Sequence, residues 1–557
     1  MKSNRINFVL ILFFVFSLII ISKLAFLQVL QYQYWRALAQ GQQKAFILSQ
    51  GERGEIFFSG GEKLATNHAV TLVYASPYEI DDPSKTANLL SSVLNLETKE
   101  IFGKLQKNNY YEVIKKNLTK EEVEKIKELK LSGIYLATEK KRYYPFETMA
   151  CHILGFVSDE GEGQYGLEGF YNDTLKGKDI LLEKEIGPAG FFGKKDNLSE
   201  KGADLFLTLD YNIQFFSEKL LEKTKDKLNI EGGEIIVIDP HTGRIFALAN
   251  FPFFNPNEYS KVEDLEIFQN SSIQKIFEPG SVFKPITMAA ALDTGKVTPQ
   301  TTYIDKGFLE IGGHLIYNYA NRVWGERTMT EVLERSINTG AVFVQQRIGK
   351  HVFLDYLNRF GIFQQTGIDL QGEIFSDNKE FKKGYEINFA TASFGQGINV
   401  TSIQLVRAIS AIANGGKLVK PFIVDKIVKD GKILENKPEI QNSQVISKDT
   451  ASQLTSMLVN VVEKGYGKEA KIPGYYIAGK TGTAQVPWPA LKINKKGYSD
   501  KTIQSFIGYA PAFNPRFLIL VKLYNPEAKT AEYSAAPIFK ELAKYIIDLW
   551  KIPPDYE

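Results

Sequence analysis

The sequence predicts an α+β multidomain protein whose chain begins with a transmembrane helix. With 557 residues, the chain is long enough for two or more domains. A long apolar run lies near the N-terminus, and the C-terminal part begins and ends with strand-like segments that enclose a helix-rich region. Strands at both ends with helices between them predict one antiparallel sheet covered by helices.

The apolar run near the N-terminus is long enough to cross a bilayer. It covers Phe8–Ile21 and resumes after Lys23 over Leu24–Leu30. A helix over these residues spans the hydrocarbon core if the Lys23 ammonium extends toward the far interface. The run therefore predicts a transmembrane anchor at residues 8–30.

The residues that flank the anchor predict its orientation. Lys2 and Arg5 precede it, and basic residues favour the cytoplasmic side. Residues 1–7 are therefore expected to form a cytoplasmic tail, and the rest of the chain to be exported. A cleaved signal peptide is the alternative, since Ala37-Leu38-Ala39 resembles a cleavage site, but that tripeptide lies well past the apolar run. An uncleaved anchor is the preferred interpretation.

Residues 45–202 are predicted to form a first extramembrane domain of mixed α/β structure. Strand-like stretches begin at Arg53–Ile56 and at Val70–Ala75. Between about 81 and 140, Leu, Ile and Val alternate with Lys and Glu at helical spacing, which predicts a helical insertion. Thr119–Glu122 has the spacing of a capping box that starts one of these helices.

Residues 203–552 are predicted to form a second, larger domain. The region from Ser281 to about Glu463 is expected to be rich in helices, and Ser534–Leu549 has the apolar spacing of an amphipathic helix. Asp239–Gly243 is a hairpin turn between two of the strands. The strands expected in this domain are Leu205–Asp210, Glu234–Ile238, Arg244–Ala249, Tyr475–Gly479, Ser505–Ala510 and Phe517–Leu523.

Composition argues against several classes of function. The net charge of +3 is too small to imply a nucleic-acid partner. Cys151 is the only cysteine, so no intrachain disulfide or cysteine-based metal site is expected, and it is interpreted as a small core residue. The five histidines lack the spacing of a metal hydrolase. The protein is therefore expected to need no metal and no cofactor.

Three short motifs occur in the order of a serine acyl-transfer site that uses lysine as its proton carrier. They are Ser281-Val282-Phe283-Lys284, Ser336-Ile337-Asn338 and Lys480-Thr481-Gly482-Thr483. Each motif alone is weak, because such residues are often a solvated helix, a cap or a turn. The ordered set of three is a strong indication, because independent signals agree.

Sequence context separates these motifs from similar ones. Ser-x-x-Lys also occurs at Ser272–Lys275 and at Ser376–Lys379, and the second of these contains Ser-Asp-Asn. Ser281 follows the turn pair Pro279-Gly280 and precedes an apolar segment, which predicts a turn that opens into a buried helix. The competing serines lie in a polar run and in a charged stretch. Ser281 is therefore the predicted nucleophile.

The motifs supply the groups that acyl transfer from an amide needs. Ser281 would attack, but a serine hydroxyl needs a base within hydrogen-bond reach. Lys284, one helical turn away on the same face, is the candidate base and must be neutral to act. Burial and the nearby cation Lys480 would lower its pKa. Ser336 would pass a proton to the leaving amine, and Asn338 would orient Lys284 or the substrate amide.

The strand that carries Lys480 is predicted to bind the substrate. Lys480 and Thr481 would hold a carboxylate. Gly482 would let the substrate backbone approach the strand, which could pair with an extended peptide. The backbone N–H groups of Ser281 and Thr483 would form the oxyanion hole.

At these residues the chain resembles the class B penicillin-binding proteins, membrane-anchored D,D-transpeptidases of bacterial wall synthesis. The resemblance implies that residues 45–202 are a pedestal domain and that residues 203–552 are a penicillin-binding transpeptidase domain. One departure is Phe57–Gly61, where members of the family usually carry Asp-Arg-Asn-Gly. The matching motifs are Arg53-Gly54, Leu64-Ala65 with Asn67, Arg142 with Tyr144-Pro145, Gly166-Leu167-Glu168, Thr208-Leu209-Asp210 with Ile213-Gln214, Glu278-Pro279-Gly280-Ser281, Gly395-Gln396-Gly397 and Thr401 with Gln404-Leu405.

The resemblance implies a reaction and a location. Ser281 would attack the D-Ala-D-Ala bond of a peptidoglycan stem peptide, D-Ala would leave, and an amine of a neighbouring strand would resolve the acyl-enzyme. β-Lactams would acylate the same serine. The enzyme would be a single-pass protein of the bacterial cytoplasmic membrane, with its catalytic domain outside. The division type is favoured by Ser505–Ala512 with Asn514-Pro515-Arg516, and by Ala536–Phe539 with Ile552–Pro554.

Other functions remain as alternatives. An elongation-type transpeptidase has the same motifs. A serine β-lactamase shares them too, but it is normally a single secreted domain and needs a base for deacylation. A β-lactam sensor or a silent scaffold of a division complex is the third alternative. Because the chain has no recognisable glycan polymerase, the resemblance also implies a multi-span glycosyltransferase and other division proteins as partners, contacting the anchor and Arg53–Asn67.

Overall fold

The computed structural model describes residues 2–26, 44–49, 51–109, 111–178, 180–187, 190–192 and 200–557. The anchor expected at residues 8–30 extends past the described residues at 27–30, and it stays a prediction. Among the residues described, no helix combines the length and the apolar character that crossing a membrane requires.

The described residues form both helices and strands. The α-helices in chain order are α1 (Lys2–Ala25), α2 (Pro83–Leu94), α3 (Thr98–Leu105), α4 (Lys120–Leu129), α5 (Cys151–Leu154), α6 (Gly166–Phe170), α7 (Asn172–Leu175), α8 (Tyr211–Leu228), α9 (Ser271–Gln274), α10 (Lys284–Asp293), α11 (Met329–Glu334), α12 (Asn338–Arg359), α13 (Lys379–Lys382), α14 (Glu386–Ala392), α15 (Ser402–Ala413), α16 (Lys448–Glu463) and α17 (Ala535–Trp550). The strands are β1 (Lys44–Ser49), β2 (Ile56–Phe57), β3 (Lys63–Ala75), β4 (Glu112–Lys115), β5 (Ile134–Tyr143), β6 (Phe156–Val157), β7 (Gly163–Gln164), β8 (Ile180–Gly187), β9 (Gly190–Phe192), β10 (Asp204–Leu207), β11 (Gly232–Ile238), β12 (Ile245–Phe251), β13 (Thr302–Asp305), β14 (Phe308–Ile311), β15 (His314–Tyr317), β16 (Gly325–Thr328), β17 (Leu418–Val419), β18 (Val424–Lys429), β19 (Lys432–Glu435), β20 (Ile440–Asn442), β21 (Ala478–Pro487), β22 (Tyr498–Ala510) and β23 (Phe517–Tyr524).

The chain forms two compact units. The smaller consists of residues 1–54 and 176–202 and contains α1 together with the antiparallel sheet β1-β8-β9. The larger consists of residues 55–175 and 203–557 and contains the remaining elements. Cys151, at the start of α5 in the larger unit, is buried, as expected of a core residue.

A mixed sheet in the larger unit joins strands from both sides of residue 203. Its strand order is β19-β18-β10-β2-β3-β4, and β5 also pairs with β3. β10 lies antiparallel to β18 but parallel to β2, with Leu205 opposite Ile56. The first of the expected strands after residue 203 is therefore hydrogen-bonded to a strand that lies far earlier in the chain.

The helical insertion expected over residues 81–140 is only partly helical. α2, α3 and α4 fall within it, and Thr119–Glu122 caps α4 as predicted. Residues 134–140 instead belong to the strand β5, which pairs with β3 along ten residues, and β4 adds a second strand. The reason is the spacing of Ile134 and Leu136, which pack together on the same apolar cluster and so follow a period of two.

The main sheet is the antiparallel sheet that the sequence predicts, with the order β12-β11-β23-β22-β21. Successive residues of β11 face opposite sides. Ile235 and Val237 pack in the cluster that includes α8 and α17, whereas Ile236 and Ile238 pack in the cluster that includes α10, α15 and α16. Helices therefore cover both faces of the sheet, and β21 lies at its edge.

The region between the two groups of strands is less uniformly helical than expected. Between α10 and α16 it also contains the short antiparallel pairs β13–β16, β14–β15 and β17–β20. Residues 475–477, expected to begin a strand, precede β21 instead. The N–H of Tyr475 donates to Ile472 O at 3.2 Å in a turn, so pairing with β22 starts only at Ala478.

A buried ion pair lies at the centre of the main sheet. Glu234 on β11 and Lys522 on β23 are register partners with fully buried side chains, and Lys522 Nζ lies 2.9 Å from Glu234 Oε1. The hydroxyls of Ser402 and Tyr524 donate to the same carboxylate at 2.6 and 2.8 Å. Removal of the lysine alone would leave a buried carboxylate without its cation, which is the costly way to break such a pair.

We predict that Lys522→Met destabilises the protein far more than Lys223→Met. Loss of the Lys522 amine leaves Glu234 uncompensated, at a cost of about 3–5 kcal/mol. Lys223 and Glu541 also pair at 2.9 Å, but their side chains are 62% and 46% exposed. Loss of an exposed pair costs about 0–1 kcal/mol. Thermal unfolding of the full chain in detergent compares the two, and equal melting temperatures would contradict the prediction.

Candidate active site

Ser281 lies on a tight turn that leads into a buried helix. Gly280–Phe283 form a 3-10 turn, and α10 begins at Lys284 and is buried along nearly its whole length. Gly280 has a φ of +60°, and a Cβ at this position would lie 3.0 Å from the Cβ of Ala484 on β21. The turn is therefore packed against the edge strand, in a conformation that favours glycine.

The amine of Lys284 contacts both serines of the first two motifs. Its Nζ lies 3.0 Å from Ser281 Oγ, 3.1 Å from Ser336 Oγ, 2.6 Å from Ser336 O and 2.9 Å from Asn338 Oδ1. The carbonyl oxygens of Ser336 and Asn338 can only accept, so they take the two protons of a neutral amine. The lone pair is then left for a hydroxyl proton, as a general base requires.

The amide of Asn338 is oriented by a backbone carbonyl. Its Nδ2 donates to Tyr317 O at 3.0 Å, and because that oxygen can only accept, the Oδ1 of Asn338 must face Lys284. The sequence motif includes Asn338 but does not predict Tyr317, because Tyr317 contributes only its backbone carbonyl, from an earlier strand.

Burial lowers the pKa of both lysines of the site. Lys284 and Lys480 are each 1% exposed. Burial, followed by the charge of Lys480, holds the pKa of Lys284 well below its usual value of 10.5. Burial lowers the pKa of Lys480 to about 7. The two amines share Ser336 Oγ, at 3.1 and 3.0 Å, so a proton on one disfavours a proton on the other.

Ser336 adopts a backbone conformation that side chains rarely take. It follows α11 directly after Arg335 and has a φ of +54°, in the left-handed region. This conformation lets one residue present both its hydroxyl and its carbonyl to Lys284 Nζ. Backbone strain of this kind is common where a side chain must be held in one place for function.

Lys480, Thr481 and Thr483 lie along the edge strand β21. Lys480 Nζ donates to Ser336 Oγ and to Thr481 O, both at 3.0 Å. The hydroxyl of Thr483 accepts from the N–H of Ala531 at 3.1 Å. Lys480 therefore connects β21 to the second motif, whereas the oxyanion-hole role expected of the Thr483 N–H stays a prediction.

Gly482 is needed for close packing inside the protein. A Cβ at this position would lie 2.7 Å from Ser505 Oγ and 2.9 Å from Val282 Cγ1. The missing side chain would thus point into the protein, toward the Ser281 turn. Gly482 therefore allows β21 to pack closely against that turn, and its expected role in letting a substrate backbone approach stays a prediction.

The structure brings the predicted side chains together in one place. The hydrogen-bonded cluster consists of Ser281, Lys284, Ser336, Asn338 and Lys480. Thr481, Gly482 and Thr483 follow along β21. Within the part of the chain that is described, no three His, Cys, Asp or Glu side chains are grouped to hold a metal ion.

The competing Ser-x-x-Lys sequences form no comparable site. The hydroxyl of Ser272 is buried and donates to Asn250 Oδ1 at 2.6 Å, while Lys275 is exposed. Lys379, which follows Ser376, has a side chain that is 84% exposed. Neither lysine is buried beside its serine, as Lys284 is.

Two residues that support the site, Asn318 and Asp305, belong to no motif that would predict them. The helix α12 begins at Asn338, but the residue before it is Ile337, whose side chain cannot cap a helix. Asn318 supplies the cap from 20 residues upstream, since its Oδ1 accepts from the N–H of Asn338 at 3.0 Å. Both carboxylate oxygens of Asp305 accept from Asn318 Nδ2 at 3.0 Å and so fix the orientation of its amide.

Two family models match the chain. The penicillin binding protein transpeptidase domain matches residues 233–544, and the penicillin-binding protein dimerisation domain matches residues 48–205. The first match covers more than half of the chain and includes all three motifs.

Known proteins are similar over nearly the whole chain. Stage V sporulation protein D of Bacillus subtilis is 34% identical over 558 residues, which cover 96% of this chain and 84% of that protein. The probable peptidoglycan D,D-transpeptidase PbpC of Pseudomonas aeruginosa is 31% identical over 569 residues, 100% of this chain and 97% of that protein. The crystal structure of penicillin binding protein 3 from Mycobacterium tuberculosis, complexed with aztreonam, superposes with a TM-score of 0.71 at 26% identity and covers 91% of this chain and 98% of that one.

Proposed function

The chain belongs to the class B penicillin-binding proteins, and we infer that it is a peptidoglycan D,D-transpeptidase, inhibited by β-lactams, that works through an acyl-enzyme on Ser281. The observation that carries the assignment of Ser281 is the 3.0 Å contact between its Oγ and Lys284 Nζ. Because two carbonyl oxygens occupy the protons of this amine, its lone pair is available to the serine.

Acylation uses the neutral form of Lys284. As Ser281 Oγ attacks the carbonyl carbon between the two D-Ala residues, its proton moves to Lys284 Nζ. The amide C–N bond then breaks, and the proton passes from Lys284 to the leaving amine by way of Ser336 Oγ, 3.1 Å away. D-Ala departs, and Ser281 carries the stem peptide as an ester.

Transfer reverses these proton movements. The amine of a neighbouring stem peptide attacks the ester carbonyl and gives a proton to Lys284. The C–O bond to Ser281 breaks, the proton returns to Ser281 Oγ, and the new amide joins the two strands. Each step therefore uses the same lysine, first as base and then as acid.

The donor stem peptide is proposed to lie along the edge strand β21. An edge strand offers unpaired main-chain groups that an extended peptide can pair with. The turn that carries Ser281 packs against this strand, so a peptide bound there would present its carbonyl to the nucleophile. Lys480 and Thr481 would hold its terminal carboxylate, and the N–H groups of Ser281 and Thr483 would stabilise the oxyanion.

We predict that Ser281→Ala abolishes covalent labelling by penicillin while the melting temperature of the full chain stays unchanged. The variant removes only the attacking hydroxyl of a partly exposed residue. Ser272→Ala and Ser376→Ala are the matched controls and should be labelled normally. Full labelling of Ser281→Ala, or loss of labelling in Ser376→Ala, would show that another serine is the nucleophile. Rapid release of the label from the unaltered chain would indicate a β-lactamase instead.

We predict that acylation by penicillin becomes faster as the pH rises through the lowered pKa of Lys284, because only the neutral amine accepts a proton. Lys284→Arg should be inactive, since a guanidinium keeps its proton at working pH. Lys480→Met should shift the rise to higher pH, because removal of the neighbouring cation raises the pKa of Lys284. Rates measured between pH 5 and 10 test both points. Near-normal acylation by Lys284→Arg would exclude the base role, and an unshifted profile for Lys480→Met would exclude the influence of its charge.

The enzyme is further proposed to act at the division septum, held in the cytoplasmic membrane by residues 8–30 beside a multi-span glycosyltransferase. The basic residues before the apolar run and the likeness of Ser505–Ala512 to the division type support this proposal. The reaction also consumes glycan strands that a polymerase must supply. Large apolar side chains of α1, such as Phe13 and Phe14, are exposed and available to lipid or to a partner helix.

Replacement of residues 8–30 by an unrelated spanning helix tests this location. The unaltered chain should stay in the membrane fraction after a high-salt wash and keep its first residues. The replaced chain should also stay there but lose its glycosyltransferase and its septal position, observed by co-purification and by fluorescence. A soluble mature form beginning at Gln40 would disprove the anchor. Full septation by the replaced chain would disprove the helix contact, and a side-wall position of the unaltered chain would favour the elongation type.

A further inference from the structure

Two arginines and three aromatic rings form a surface cluster that the mechanism above does not use. The guanidinium carbon of Arg322 lies 6.0, 5.9 and 5.8 Å from the ring centroids of Tyr319, Trp324 and Tyr466. That of Arg335 lies 5.8 Å from the same Trp324 ring. Arg322 also donates a hydrogen bond to the Tyr466 hydroxyl. The rings of this Arg322 cluster therefore hold two positive charges close together.

Neither arginine of the Arg322 cluster forms an ion pair with a carboxylate of the described residues. Other arginines do, since Arg327 pairs with Glu331 at 3.6 Å and Arg359 with Asp355 at 2.7 Å. Glu532 is close enough to respond to the charge of Arg322, and Glu334 to that of Arg335. Burial raises the pKa of both carboxyls, and neither forms an ion pair with these arginines. Two unpaired guanidinium groups beside one ring repel each other, and a bound anion would relieve that repulsion.

The Arg322 cluster adjoins the part of the site that handles protons. Arg335 directly precedes Ser336 in the chain. The N–H of Trp324 donates to Asp305 at 2.8 Å, and Asp305 holds the amide that caps the helix of Asn338. The donor peptide is proposed to lie along β21. The arginines of the Arg322 cluster lie instead on the segments that lead to Ser336.

We propose that the Arg322 cluster binds a carboxylate of the acceptor stem peptide, the strand whose amine attacks the acyl-enzyme; this inference rests on the proposed transpeptidase function. Guanidinium groups bind carboxylates through two parallel hydrogen bonds, and the rings add apolar contact for a peptide. An acceptor held there would approach the ester from the side of Ser336 and Lys284. Its amine proton would pass to Lys284 as the new C–N bond forms and the C–O bond to Ser281 breaks.

The test measures which acceptor amine captures the acyl-enzyme. The full chain in detergent receives a synthetic peptide that ends in D-Ala-D-Ala, with either Nα-acetyl-lysyl-D-alanine or its C-terminal amide as acceptor. Both attack through the side-chain amine and give products that differ from the donor, and they differ only in the carboxylate. Arg322→Gln should weaken the apparent affinity for Nα-acetyl-lysyl-D-alanine about tenfold, or about 1.4 kcal/mol. Transfer to the amide acceptor and acylation by penicillin should stay unchanged. Arg322→Lys should lie between the two, because lysine keeps the charge but not the planar fork.

Arg359→Gln is the matched control, since Arg359 lies 4.7 Å from the Tyr356 ring at the far end of α12. It should transfer to both acceptors like the unaltered chain. If Arg322→Gln transfers the acyl group to Nα-acetyl-lysyl-D-alanine as well as the unaltered chain does, the inference is overturned while the proposed function stands. Loss of binding to phosphatidylglycerol vesicles without a change in acceptor use would assign the charges to a lipid surface and also overturn it. If the unaltered chain is acylated but transfers to no amine, the proposed function fails together with the inference.

Discussion

The whole site depends on keeping two lysine amines out of water within reach of one serine hydroxyl. Burial of an ammonium group is costly, and the cost falls when the group gives up its proton. The lowered pKa of Lys284 is therefore a consequence of the fold, because the residue is 1% exposed and its amine faces a second lysine across Ser336 Oγ. The acceptor-only oxygens of Ser336 and Asn338 then decide where its lone pair points.

Close packing between the Ser281 turn and the edge strand makes this burial possible. One row of residues crosses the main sheet from its centre to the site, with Glu234 opposite Lys522, Lys522 opposite Ser505 and Ser505 opposite Gly482. Directly opposite residues point to the same face of a sheet. The buried ion pair therefore lies on the same face as the Ser281 turn, toward which a side chain at Gly482 would point. Lys480, two residues before Gly482, is placed on that side as well.

The sequence predicts the polar groups of the site but not what holds them in place. Ser281 and Lys284 could be predicted because each side chain acts at a fixed spacing in a recognisable motif. Asn318 and Asp305 could not, because the cap they provide reaches α12 from a distant segment and leaves no local pattern. The same limit applies to the mixed sheet. The strand-like stretch that starts at Arg53–Ile56 was predicted and leads into β2, but the parallel pairing of β2 with the distant strand β10 was not.

The groups around Ser281 also favour transfer over hydrolysis. Among the described residues, no carboxylate hydrogen-bonds to Ser281, Lys284 or the other members of the cluster, and Glu278, three residues before Ser281, accepts from the Tyr498 hydroxyl at 2.9 Å instead. Water attacking the ester would have only the lysine as its base. An amine uses the same lysine and is the stronger nucleophile, so the acyl-enzyme should persist until an amine arrives. When a β-lactam acylates Ser281, the amine released from the ring carbonyl stays attached to the adduct. It blocks the approach of an attacking amine, so the adduct is long-lived.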